Sequence, residues 1–150
     1  NIYGDRFSEF DTPEMGLRAT FRDLRNKMKE FDGDVDKMIT KFAPPRENVT
    51  SKYIKRIKKV IGKDKKITNK NLNKVVKEMV AIESDDNPEM IRYYLDNPNI
   101  INAAEELSYI DMPSNTTGET AKKLYYEGEY PRKHGGMVMR NYYDYEPRSI

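Results

Sequence analysis

Leu17, Phe21, Leu24, Met28 and Phe31 recur at spacings of 4, 3, 4 and 3. Only an α-helix returns such positions to a single face, so the spacing predicts one continuous helix over 12–31 with Leu17, Phe21, Leu24 and Met28 buried. Thr12 or Asp11 can cap it, Pro13 suits its first position, and Glu14 favours the positive end of its dipole, a role that accounts for this acid at the helix start. Asp32-Gly33-Asp34 ends it. Val35, Met38, Ile39 and Phe42 predict a short second helix, stopped by Pro44-Pro45. A third starts between Asn48 and Ser51, presents Tyr53, Ile54, Ile57, Val60 and Ile61, and closes at Gly62. A fourth, from Thr68 or Asn69, carries Leu72, Val75, Val76, Met79 and Ile82. Two more follow, about 88–95 and 98–110, each begun by Asn-Pro. No segment alternates with period 2, so the fold class is all-α, a small bundle of about five to six helices followed by an extended C-terminal tail.

The organisation expected is an irregular segment over 1–11, a helical domain over 12–110 and a tail over 111–150. The tail opens on Met112-Pro113-Ser114-Asn115-Thr116-Thr117-Gly118, has room for one short helix near 119–127, and then holds Pro131, Gly135-Gly136 and Pro147 among its tyrosines. It lacks a core pattern. Tyrosines offer large contact area at low entropic cost, so Tyr130, Tyr142, Tyr143 and Tyr145 are expected to touch other chains, with Arg140 and Arg148 pairing acids at the rim. The alternative is a tail packed on its own domain. The chain starts at Asn1 rather than Met, which suits a processed product or part of a longer chain.

Composition removes much chemistry. There is no cysteine, so disulfides, Cys-ligated zinc, iron–sulfur clusters and thiol nucleophiles are excluded. The single histidine, His134, rules out any His-pair metal site. No phosphate-binding glycine loop occurs, and no apolar run reaches the roughly 18 residues of a membrane span. No cofactor and no metal are expected.

Charge is layered. Residues 52–77 hold 11 basic residues and one acid, Asp64, whereas residues 78–129 hold 12 acids and three basic residues. Such blocks ordinarily are solvated helix faces that neutralise one another or neighbouring subunits. The alternative is a nucleic-acid face built from Lys52, Lys55, Arg56, Lys58, Lys59 and Lys63, with Lys65 and Lys66 beyond.

Two blocks carry a family likeness. Phe10-Asp11-Thr12-Pro13-Glu14-Met15-Gly16-Leu17-Arg18-Ala19 is followed by Leu24-Arg25; Phe42-Ala43-Pro44-Pro45-Arg46-Glu47-Asn48-Val49-Thr50 is followed by Tyr53-Ile54 and Gly62. Together they resemble a small helical domain of bacteriophage virion and prophage structural proteins, whose pattern reads roughly F-D-S-P-x-x-G-I-R-A, then [RK][WF]-A-P-P-x-E-N-x-T-x-x-Y-I. The likeness covers about residues 7–83. The family often carries N-P-x-N-I-R upstream, of which only Asn1-Ile2 could be a remnant. Residues 135–150 are similar to the C-termini of virion proteins of short-tailed marine phages. The resemblance implies residence in the virion, contact with other virion proteins in a symmetric assembly, and a distant relation to lysozyme-like and lytic transglycosylase domains.

A transglycosylase needs one carboxylic acid in an apolar cleft, and a glycoside hydrolase needs two carboxylates roughly 5–9 Å apart. The weak candidates are Glu78 and Glu83. They lie five residues apart, off a shared helix face, and Asp85 and Asp86 mark the end near Glu83 as acidic and solvated. No E-S-G type signature accompanies them. The reading that follows is a virion structural protein, an internal core, ejection or tail-associated component, acting by protein–protein contact. A peptidoglycan-degrading virion domain is the alternative, and a basic nucleic-acid-binding module the second alternative.

Overall fold

The computed structural model describes residues 10–42, 47–96 and 98–130, and within them the chain is all helical, without a strand. The helices are α1 (Pro13–Phe31), α2 (Val35–Phe42), α3 (Glu47–Ile61), α4 (Leu72–Glu83), α5 (Pro88–Leu95), α6 (Ile100–Leu107) and α7 (Gly118–Tyr126), with a 3₁₀ turn at Gly62–Asp64. Among the described residues that makes seven α-helices, more than the five to six expected, because the helix foreseen near 119–127 is part of the folded body.

Local chemistry explains most boundaries. The Thr12 hydroxyl accepts from the Met15 amide at 3.3 Å, and Pro13 opens the helix. Of the two capping candidates Thr12 therefore serves α1. Asp11 caps a different helix: both its carboxylate oxygens accept from the Gly118 amide at the start of α7, at 3.0 and 2.9 Å. A Cβ at 118 would stand 2.1 Å from that carboxylate and 2.6 Å from the Thr12 hydroxyl, so a side chain there would displace both. Asp32 and Gly33 end α1 at positive φ. A Cβ on Gly33 would lie 2.5 Å from the Ile67 carbonyl, while the Ile67 amide donates to the Gly33 carbonyl at 2.9 Å.

Two helix starts differ from expectation by two residues or more, and α3 begins one residue early, at Glu47. α4 begins at Leu72, not at 68 or 69, because the Asn71 side chain ties residues 64–71 into a turn. Its Oδ1 accepts from the Thr68 amide at 2.8 Å, and its Nδ2 donates to the Lys66 carbonyl and to Asp64. α6 begins at Ile100 rather than 98, since Asn99 is its cap, accepting from the Asn102 amide at 2.9 Å. α5 starts as expected, with Asn87 accepting from the Glu89 and Met90 amides.

Leu17, Phe21 and Leu24 are fully buried, and Met28 packs half-buried beside them. They share one core with Met38 and Ile39 of α2, Tyr53 and Ile57 of α3, Leu72, Val76 and Met79 of α4, and Ile101 and Ala104 of α6. Beyond α6 lies a smaller core of Ala103, Leu107, Ile110 and Tyr125, against which Met112 and Tyr130 pack. α6 thus has no solvent face beyond Asn102: every residue from 103 to 110 is buried. The boundary expected between 110 and 111 is not where folding stops, since residues 111–130 close this second core.

α1 and α6 are joined by arginines. Arg18 donates from Nε to the Leu107 carbonyl at 3.0 Å and from Nη2 to the Ile110 carbonyl at 2.7 Å. Arg25, 2% exposed, donates to the Ser108 hydroxyl at 2.8 Å and lies 3.9 Å over the Tyr109 ring. Both guanidinium groups thus stand at the C-terminus of α6, the end of a helix that favours cations and leaves carbonyls without internal partners. Burial, helped by the like charge of Arg22, pulls Arg18 down from its ordinary value to about 10.

Replacing Arg18 by methionine takes the Arg18 donor from the Ile110 carbonyl, while the Leu107 carbonyl keeps the Ile110 amide at 3.1 Å, and should cost about 1–3 kcal/mol. Arg18→Lys should recover only part of that loss, because an ammonium lacks the guanidinium fork. Urea unfolding of the three proteins measures both differences.

Candidate functional site

The start of α1, the end of α5, the α5–α6 loop and α7 surround a groove of about 510 Å3. Pro13, Glu14, Arg92, Tyr93, Asp96, Pro98, Ile100 and Lys122 line it. Glu14 is 1% exposed although it sits in the first turn of its helix. One carboxylate oxygen accepts from the Tyr126 hydroxyl at 3.0 Å; the other, Oε1, is buried without a hydrogen-bond partner. Burial raises the Tyr94 phenol above its ordinary value, and Tyr93 and Glu14 add to the shift. The rim is aromatic. Tyr93 is 54% exposed and meets Tyr94 edge-to-face, while Tyr126 meets Tyr125 in the same way. Met90, three residues before Tyr93 and so on the same side of α5, is exposed as well. A shallower depression shares Lys122 and adds Lys123, Tyr126 and Glu127.

Neither of the acids singled out in the sequence belongs to this groove. Glu78 accepts from Arg56 at 2.7 Å on the α3–α4 side of the molecule, and Glu83 is half-buried at the end of α4. Glu14 was accounted for by the helix dipole alone; nothing local signals its burial, which comes from α7, more than 100 residues away. The exposed apolar face of α5 did have a signal. Met90, Ile91, Tyr93, Tyr94 and Leu95 are more large apolar residues than one face of an eight-residue helix can bury.

The basic block is divided by its neighbours. Arg56 donates to both oxygens of Asp86, at 2.9 and 2.7 Å, as well as to Glu78. Lys58 pairs with Asp36 at 2.9 Å, and Lys66 with Asp32 at 2.7 Å. Lys52, Lys55, Lys59 and Lys63 are exposed and have no carboxylate of the described residues at salt-bridge distance. Tyr130 is half-buried against the second core of its own chain. Arg140, Tyr142, Tyr143, Tyr145 and Arg148 lie outside the described residues. Among the described residues no group of three or more acids or histidines could hold a metal ion, and no helix is long and apolar enough to cross a membrane.

No protein-family model, no curated protein and no solved structure matches the chain.

The Arg56–Asp86 contact makes a pH prediction. Its hydrogen bond from Arg56 holds Asp86 below the ordinary aspartate range. A depressed acid contributes stability above its unfolded value and loses it as pH falls through the folded one. The Asp86 side chain is 58% exposed, so the contribution is at most about 1 kcal/mol. Asp86→Asn should be less stable than the parent by that amount at pH 6, and the two should converge in acid. Guanidinium unfolding at a series of pH values checks it.

Proposed function

We propose that this chain is a structural component of a bacteriophage particle, an internal, ejection or tail-associated protein that works by contact with other virion proteins. The observation that carries the reading is the fate of the two blocks that resemble the virion family. Thr12, Gly16, Leu17, Phe42 and Tyr53 are all buried, and Pro13 and Thr12 form the helix start. Among the described residues the shared pattern thus goes into building a helical body, as a scaffold motif would. What the body offers outward is the Met90–Tyr93 face of α5 beside the groove, an exposed apolar and aromatic surface of the kind enriched at protein contacts.

Met90 and Tyr93 are exposed, so replacing both by alanine should leave stability within about 0.5 kcal/mol of the parent. An aromatic anchor at an interface is worth about 2 kcal/mol or more, which is over tenfold in affinity. Particles assembled with Met90→Ala/Tyr93→Ala should therefore carry much less of this protein than particles with the parent chain, measured by quantitative mass spectrometry of purified virions. Equal incorporation would sink the reading.

One observation favours a second reading, a peptidoglycan-cleaving domain: Glu14 is a carboxyl group shielded from water beside a groove, with one oxygen unpartnered. It stands alone there as a buried acid, with Asp96 the other carboxylate of the lining. The expected result is that the purified chain leaves the turbidity of isolated cell walls unchanged. Clearing that disappears in Glu14→Gln would establish the second reading in place of the first.

A further inference from the structure

The tertiary structure sorts the basic residues of α3 by their position around the helix. At about 100° per residue, the buried residues Tyr53, Ile57 and Ile61 define the inner face. Lys52, Lys55 and Lys59 fall within an arc of about 60° on the opposite side, and Lys63 follows in the 3₁₀ turn, past Gly62, whose positive φ ends the helical register. Arg56 flanks this arc on one edge and is neutralised by Asp86 and Glu78. Lys58 lies beyond the other edge and is neutralised by Asp36. Among the described residues, the acids that reach α3 thus cancel its margins and leave its centre positive. This is a different outcome from two blocks that neutralise one another outright.

We infer that this outer face of α3, carrying Lys52, Lys55, Lys59 and Lys63, binds the phosphate backbone of duplex nucleic acid without reading its sequence. From Lys52 to Lys59 the stripe is about 10 Å long, and Lys63 stands in the turn beyond its end. Duplex DNA presents one charge per roughly 1.7 Å of axis, so each of the four ammonium groups has a phosphate within reach of its flexible stem. The stripe has no aromatic side chain on which a base could stack, which single-strand binding sites use. Nor does it suit a bilayer surface: an interfacial helix inserts an apolar face, and the apolar face of α3 is already buried in the core. The lysines are point charges with no fork to match a base edge, so backbone contact is what they can supply. The inference is independent of the virion reading.

The test is fluorescence anisotropy of the full chain with a labelled 20-base-pair duplex DNA of mixed sequence. Four phosphate contacts give a slope of log affinity against log salt of about −3.6, a loss of about 150-fold between 50 and 200 mM salt. Two variants remove the stripe: Lys52→Ala/Lys55→Ala/Lys59→Ala/Lys63→Ala and the same four positions changed to glutamine. At 50 mM salt each should bind roughly tenfold or more weakly, with the salt slope flattened towards zero. A control with equal charge removed elsewhere, Lys27→Ala/Lys29→Ala/Lys37→Ala/Lys41→Ala, should bind within about threefold of the parent and keep its slope. Far-UV circular dichroism identifies which stripe variant retains the helical fold, and that variant carries the comparison. Absence of binding at 50 mM salt overturns the inference. So does equal loss in the control, which would make net charge the cause. So does a stripe that governs binding to vesicles of phosphatidylcholine and phosphatidylserine while DNA binding is unaffected.

Discussion

The placing of α6 and α7 depends on how α1 grips the C-terminus of α6. The turn that ends α6 is buried: the Leu107 carbonyl accepts from the Ile110 amide at 3.1 Å, and the Ile110 carbonyl lies just beyond the helix. Arg18 donates to both carbonyls, while Arg25 holds the Ser108 hydroxyl and stacks on Tyr109. The Ser108 hydroxyl in turn donates to the Glu105 carbonyl. Desolvating two guanidinium groups is unfavourable, as the lowered value of Arg18 records. The carbonyl end of a helix offsets part of that cost, while Arg25 Nε and Nη1 stay buried without a hydrogen-bond partner. With α6 fixed in this way, its one side completes the main core and its other side forms the floor on which Tyr125 and Tyr130 pack.

The groove is a consequence of the same arrangement. α7 is held at its N-terminus by the Asp11 carboxylate and at its C-terminal end by Tyr125 and Tyr126, which donate to Glu106 and Glu14. Closing α7 over the start of α1 removes Glu14 from water, and it leaves the edge of α5 standing proud, with Tyr93 on the rim. The aromatic rim and the enclosed carboxylate therefore arise from one packing event. The lysine face lies on a separate helix, α3, and is shaped by a different set of neighbours in α2, α4 and the α4–α5 turn.

Much of the secondary structure was legible because its causes are local. The 4-3-4-3 stripe of α1, the Asn87 cap of α5 and the Asp32-Gly33 stop each act within a few residues, and each forms as read. The misplaced starts of α4 and α6 have equally local causes, but ones in which two candidates compete. Asn71 closes a turn before its helix begins, and Asn99 caps where Asn-Pro two residues earlier also could. That residues 112–130 pack onto the body was not legible for another reason. α7 carries few aliphatic residues, and beside its local Thr117 cap it is tied by the Gly118 amide to a carboxylate 107 residues away.

Alone, the sequence determined that this chain is helical, where its first helix lies, and that cysteine, paired-histidine and phosphate-loop chemistry are closed to it. Those conclusions rest on period, capping and composition, which need no knowledge of neighbours. Only the tertiary structure decided which charges are spent and which are free. Glu14 reads as a helix-start acid, and Glu105 and Glu106 as part of a solvated acidic block, yet these three and Arg25 are buried. Arg56 and Lys58 read as members of one basic face and are neutralised, while Lys52, Lys55, Lys59 and Lys63 between and beside them stay exposed. A side chain's burial and its ion partner are set by what the fold brings within a few ångströms, and for these residues that comes from distant segments of the chain.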